Sequence, residues 1–167
     1  EAEKKVEIYG NGIELHLIGH LQSNKVKKAV NLFNVIQSVD SYEIARKINK
    51  EAEKINKNQR IYIQVNIGED PNKYGFQDNK VEEMVKKISC FKHVKIEGIM
   101  TILPYQITDK EKEKLYTKTK KIRDTIHTYI ETCVELSMGM SSDYLHAAQS
   151  GATMVRIGTL LFGTRTQ

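Results

Sequence analysis

The sequence has no tryptophan, and only 7% of its residues are aromatic. No aromatic side chains interleave with a basic stripe, so a nucleic-acid partner is not expected. Cysteine is equally scarce. Cys90 and Cys133 stand alone without metal-ligand spacing, which excludes a disulfide framework and a cysteine metal site. Both read as reduced, buried thiols of a cytoplasmic protein. No apolar run approaches membrane-spanning length and no signal peptide opens the chain, so no membrane partner is expected either. Linkers, repeats and low-complexity segments are missing too. One domain over residues 1–167 is therefore expected, large enough for a real core.

What is present is ordinary in bulk: 40% apolar, 28% charged, net charge +5. The lysines alternate with acids, as in Asp109-Lys110-Glu111-Lys112-Glu113-Lys114, the mark of a solvated helix face. The chain opens on what reads as the end of a helix, stopped by Gly10-Asn11-Gly12. Strands are then predicted over 15–19, 35–39, 61–67, 96–102, 134–138 and 154–158. Helices fall between them. Ser23 or Asn24 caps the first, with Val26, Ala29, Val30 and Phe33 inward. Asp40 and Glu43 form a capping-box pair for the second. A third starts at Asp78, and a long charged one runs over 109–132. Strict alternation makes the class α/β, a parallel sheet with helices outside.

The most informative stretch lies near the end, residues 136–163. Two short apolar runs each stop in small or hydroxyl-bearing residues, at Ser137-Met138-Gly139-Met140-Ser141 and at Gly158-Thr159. A short helix over 143–150 lies between them, with Gly151 as its stop. Glycines there bring backbone N–H groups close to a ligand, and Ser141 and Thr159 add hydroxyls. The two loops make a phosphate cradle, although glycine after a strand is commonly just a turn. A dinucleotide fold wants G-x-G-x-x-G after the first strand, and Gly10-Asn11-Gly12 follows a helix and lacks the third glycine. A (β/α)8 TIM-type barrel binds phosphate after its last two strands, beside a short extra helix such as 159–162. The barrel fits better, with six strands visible where eight are needed.

Four segments, IGHLQSNK (18–25), IQVNIGEDPNKYGF (63–76), IEGIMTI (96–102) and LSMGMSSD…ATMVRIGTLLFG (136–163), resemble the pyridoxal phosphate homeostasis proteins. That family is made of barrels similar to the N-terminal domain of alanine racemase, and the resemblance runs from Glu1 to Arg165. It implies a cytoplasmic protein of vitamin B6 homeostasis. Such a protein binds pyridoxal 5′-phosphate as cofactor and carries or buffers it, without robust catalysis. It also implies that Ser137, Met138, Gly139, Ser141, Gly158 and Thr159 form the phosphate-binding segments, and that Arg156 faces the pyridine nitrogen. Period-two alternation puts Arg156 and Met154 on one strand face. A guanidinium there would keep the ring nitrogen unprotonated and weaken the cofactor as an electron sink. The other reading of Arg156 is a buried ion pair with Glu97 or Glu135. His20 either lines the cofactor mouth or caps the next helix. Asn66 is expected to hydrogen-bond across the barrel, and Met100, Met138 and Met140 to fill it.

The sequence departs from the family pattern at its start. Neither the first-strand lysine that forms the aldimine nor the Gly-Glu-Asn segment of the second strand is present. The expectation is an incomplete barrel of the alanine racemase N-terminal type, six strands with the first two βα units missing. Two sheet edges, at 15–19 and 154–158, are then exposed and favour self-association. Only Lys25 and Lys73 lie at the right strand ends to replace the anchor, and both are expected to be solvated. The alternative is an alanine-racemase-like amino-acid racemase, which needs the absent lysine and a tyrosine from a second domain.

Overall fold

Residues 59–65, Gln-Arg-Ile-Tyr-Ile-Gln-Val, carry β-branched and aromatic side chains at nearly every other position, and they form a strand buried along almost its whole length. In the computed structural model, which describes residues 12–163 together with Val6 and Ile8, this is the third of six strands. The opening helix expected over the first residues, and Gly10-Asn11, lie outside the described residues apart from Val6 and Ile8, which are helical.

The elements alternate as the sequence predicts. β1 (His16–Leu17) is followed by a 3-10 turn (Ser23–Lys25) and α1 (Val26–Leu32), then β2 (Val35–Val39) and α2 (Tyr42–Lys54). β3 (Gln59–Val65), α3 (Asp78–Ile88), β4 (Val94–Thr101) and α4 (Asp109–His127) follow. β5 (Glu135–Met140), α5 (Tyr144–Gln149), β6 (Met154–Arg156) and the short α6 (Thr159–Phe162) complete the described chain. All strand pairs are parallel and their order in the sheet is their order in the chain. A doubly wound sheet reverses its strand order at a switch point. None occurs here, so the sheet curls in one direction as a six-stranded half-barrel with helices outside.

The helix starts differ from expectation in two places. Ser41, not Asp40, caps α2, its hydroxyl accepting the Ile44 N–H at 3.3 Å, while Glu43 pairs with Arg46. Ser23 and Asn24 are taken up in the 3-10 turn and make no side-chain cap. α4 is fastened by a full capping box, Thr108 with Glu111. It ends at His127, earlier than its charge pattern suggests.

The main core lies between the helices and the convex sheet face. Ile36, Ile61, Ile63, Ile99, Leu136 and Met138 are fully buried there against Val30, Ile48, Val85 and Ile126 of the helices. Each such side chain contributes about 1.5–3 kcal/mol of burial. Cys133 joins this core, and burial pushes its thiol up to about 12. Cys90 is exposed, contrary to the expectation for it. A second, much smaller cluster lines the concave face: Val35, Tyr62 and Met100, with Ile102 and Met154 against them. Among the described residues no helix is long and apolar enough to cross a membrane, and no cluster of His, Cys, Asp and Glu could hold a metal ion.

Candidate functional site

Strand alternation in β5 sends Leu136 and Met138 outward to the helices and Ser137 inward to the concave face. Ser137 is fully buried. Its hydroxyl donates to Gln37 Oε1 of β2 at 2.7 Å and accepts from Arg156 Nη1 of β6 at 2.7 Å. The second guanidinium arm, Nη2, donates to the Thr101 carbonyl at the end of β4, also at 2.7 Å. Arg156 is thus held from two strands at the C-terminal ends of the sheet. Burial draws its pKa down to about 10, against the opposing pull of Tyr116 and Asp143. At neutral pH it remains a cation. Among the described residues no carboxylate lies within ion-pair distance of it. Glu97 is taken by Arg60 and Lys95, and Glu135 accepts the Thr153 hydroxyl. The ion-pair reading of Arg156 is therefore overturned.

The two small-residue loops meet as expected. Ser141 Oγ accepts the backbone N–H of Gly158 at 3.1 Å and of Leu160 at 3.3 Å, which ties the end of β5 to the turn after β6. Asp143 braces the loop from below. Its carboxylate accepts the Met140 N–H at 2.7 Å and the hydroxyl of the buried Tyr116 at 2.6 Å. Gly139 is required by packing as well as by its φ of +90°, because a Cβ there would lie 2.5 Å from that of Ala147 in α5. Gly158 is the opposite case: a Cβ would meet nothing within 4 Å. Gly158 and Thr159 are exposed, so a ligand can approach this backbone. Met138 contributes only backbone here, since its side chain is in the outer core. Met140 is exposed and, of the three methionines expected to fill the barrel, only Met100 does so.

His20 stands at another part of the rim, after β1. It does not cap a helix. Its Nδ1 lies 2.9 Å from Asp40 Oδ2, and its ring stacks on Tyr74 with centroids 3.6 Å apart. No contact joins it to Ser141, Arg156, Gly158 or Thr159 among the described residues. Asn66 ties its own loop through Asp70 and Lys73 rather than reaching across the sheet. Lys73, expected to be solvated, is half-buried and donates to the Leu103 carbonyl, and burial lowers its pKa. Lys25 is exposed.

Sequence reading missed Gln37, His16, Thr101 and Asp143. Gln37 could have been found, since it is an amide in the middle of the apolar strand Val-Ile-Gln-Ser-Val. Thr101 could not, because it offers a backbone carbonyl that any residue would provide.

The arrangement combines a fixed, carboxylate-free cation with an exposed Gly158–Thr159 turn and the Ser141 and Thr159 hydroxyls at one end of a parallel sheet. That suits an anionic ligand carrying a polar ring. The family described as alanine racemase, N-terminal domain, matches residues 4–166. The pyridoxal phosphate homeostasis protein of Synechocystis sp. is 39% identical over 99% of this chain and 77% of its own length. That of Aquifex aeolicus is 39% identical over 92% and 68%. Among solved structures, PipY of Synechococcus elongatus without PLP superposes with a TM-score of 0.91 at 34% identity, covering 97% of this chain and 77% of PipY. PipY with PLP bound gives 0.87 at 32%, over the same shares of the two chains. Alanine racemase of Clostridium difficile, at 18% identity and a TM-score of 0.78 over 99% of this chain and 44% of that one, shares the fold.

Proposed function

This chain belongs to the pyridoxal phosphate homeostasis proteins, within the alanine racemase N-terminal domain family, and on that premise we propose that it binds pyridoxal 5′-phosphate on the C-terminal rim of its sheet and holds it for delivery. The observation that carries the reading is Arg156, a half-buried cation with two oriented acceptors and no carboxylate partner among the described residues, next to an open Gly158. A cofactor with a phosphate and a pyridine nitrogen fits that donor set. The Thr159 N–H and the Ser141 and Thr159 hydroxyls would take the phosphate, with the bare Gly158 letting it approach. Arg156 would face the ring nitrogen and, holding its proton at neutral pH, leave that nitrogen unprotonated. When bound, the cofactor supplies an aldehyde that reacts with amines. His20, stacked on Tyr74, belongs to the same rim and would line the mouth of the site. The role is binding and buffering rather than catalysis, inside a cytoplasmic compartment.

We read the six strands as the last six of an eight-stranded barrel, an arrangement supported by their unreversed order and by the greater length of the relatives. No described lysine is set up to replace an anchoring amine, because Lys73 spends its ammonium protons on Leu103. Absorbance titration of the chain with pyridoxal phosphate and with pyridoxal tests the proposal. Saturable binding of the phosphorylated form, weakened about tenfold or more in Arg156→Met, is expected. Equal binding of both compounds, unaffected by the substitution, would sink it. After borohydride reduction, mass spectrometry is expected to show no stoichiometric pyridoxyl label on Lys25 or Lys73.

A further inference from the structure

Gln37 is fully buried in the middle of β2, and all of its polar contacts are to side chains of other strands. Its Oε1 accepts the Ser137 hydroxyl at 2.7 Å. Its Nε2 lies 2.7 Å from His16 Nδ1 and 3.1 Å from Met154 Sδ. A thioether sulfur has no proton to give, so the Gln37 atom facing it is the NH2 group. The amide therefore has one orientation, and the rest follows. His16 Nδ1 receives a hydrogen, so it is the bare nitrogen of a neutral ring whose proton sits on Nε2. That nitrogen faces the Glu14 carboxylate at 3.6 Å, which agrees. At the other end the Ser137 proton is committed to Gln37, leaving the serine lone pairs for Arg156 Nη1. Each hydrogen bond sets the direction of the next, from β1 through β2 and β5 to β6.

We propose that His16 and Gln37 are positioning residues for Arg156, and that protonation of His16 weakens the hold on pyridoxal phosphate. The second half rests on the reading that Arg156 faces the cofactor. A proton on Nδ1 would set two donors against each other at hydrogen-bond distance, forcing the Gln37 amide to turn or retreat. Turned, it presents Oε1 to the Met154 sulfur and NH2 to the Ser137 oxygen, whose own proton then loses its acceptor. In both cases the Ser137 hydroxyl loses the acceptor that sets its direction, and of the two acceptors of Arg156 only the Thr101 carbonyl is left unchanged. The charged groups that face His16 are of both signs. Glu14, on the same segment, lies 3.6 Å from Nε2, and Arg60 of β3 is bonded to Glu14 and Glu97. Tyr62 of β3 meets the ring edge-on at 6.3 Å, while β2 and β6 present only the neutral Gln37 and Met154.

Nitrogen-15 NMR of the ligand-free chain tests the relay by itself: His16 is expected to carry its proton on Nε2 with Nδ1 bare. A proton on Nδ1 at pH 8 would overturn the relay whatever the cofactor does. Gln37→Glu offers only acceptors, so it should move a proton onto His16 Nδ1, and a bare Nδ1 in that variant would also overturn it. Pyridoxal phosphate titrations between pH 8 and pH 5.5 test the link to the cofactor. Gln37→Leu and His16→Leu should bind about tenfold more weakly at pH 8. His16→Asn, whose side-chain oxygen accepts but does not titrate, should restore affinity. The ratio of wild-type to His16→Asn affinity, which cancels the titration of the cofactor itself, should fall between pH 8 and pH 5.5. A flat ratio, or wild-type binding by Gln37→Leu, would overturn the link. Wild-type binding by Arg156→Met alone, with the His16 proton on Nε2, would instead defeat the placement of Arg156 against the cofactor.

Discussion

The two faces of the sheet are built from alternate residues of the same strands, yet they do different work. On the convex face Ile61, Ile63, Ile99 and Leu136 meet helices and are fully buried in apolar surroundings. On the concave face their neighbours include Gln37, Ser137 and Arg156, and only Val35, Tyr62 and Met100 form a buried apolar cluster. The convex face stabilises by removing apolar area from water, a term that is additive and indifferent to direction. The concave face spends buried polar groups on orientation. Gln37, Ser137 and Arg156 all have partners, since an unpaired group would cost about 1–3 kcal/mol, whereas the buried Ser38 hydroxyl of β2 has none among the described residues. On the proposed function, folding and binding fall on opposite sides of one sheet, so substitutions should separate them.

The largest effect on stability is expected on the convex side. Ile63→Ala should lose about 2–5 kcal/mol through the transfer and cavity terms, measured by urea unfolding, with cofactor affinity of the folded fraction unchanged. An equal loss of affinity would break the comparison. Next comes Gly139→Ala, which strains a φ of +90° and pushes a methyl to 2.5 Å from Ala147 Cβ. A loss of about 1–3 kcal/mol is expected there, and because Gly139 joins the β5 loop to α5, affinity should fall with it.

Arg156→Met should do the reverse, weakening ligand binding while leaving stability at pH 7 unchanged or higher, since it removes a half-buried cation that has no carboxylate partner among the described residues. The pH dependence has a definite sign. The guanidinium pKa is about 10 when folded, below the 12.5 of the free group, so the folded state gives up its proton first as pH rises. The unfolded chain then binds more protons, and the stability of wild type relative to Arg156→Met should rise from pH 10 upward. A relative fall in that range would mean that the cation is stabilised where it lies. The smallest effect belongs to Ser141→Ala, about 0.5–1.5 kcal/mol, read as faster amide exchange at Gly158 and Leu160, which lose their acceptor.

How far these faces were legible follows from what sets each. The convex face was readable from helix periodicity: Val26, Ala29 and Val30 are buried where it puts them, and Phe33 is half-buried. Tyr116 and Thr119 were missed because α4 turns further into the molecule than its charge pattern suggests. The loops at 137–141 and 158–159 were legible from their small residues, and they meet through Ser141. The role of Glu97 was misjudged, since which carboxylate meets which cation depends on strand register, and β3 places Arg60 beside it first.

The amino-acid sequence by itself determined the α/β class, the six strands of the described residues, the family, and the strand ends where the two small-residue loops meet. These rest on periodicity, glycine and hydroxyl placement, and motif order, all of which are local or linear. Only the tertiary structure decided that β1, β2, β5 and β6 bring His16, Gln37, Ser137 and Arg156 into one directed chain of hydrogen bonds. Hydrogen bonds between residues up to 100 positions apart depend on how a sheet curls and on strand register. Neither is written in the pattern of any one segment.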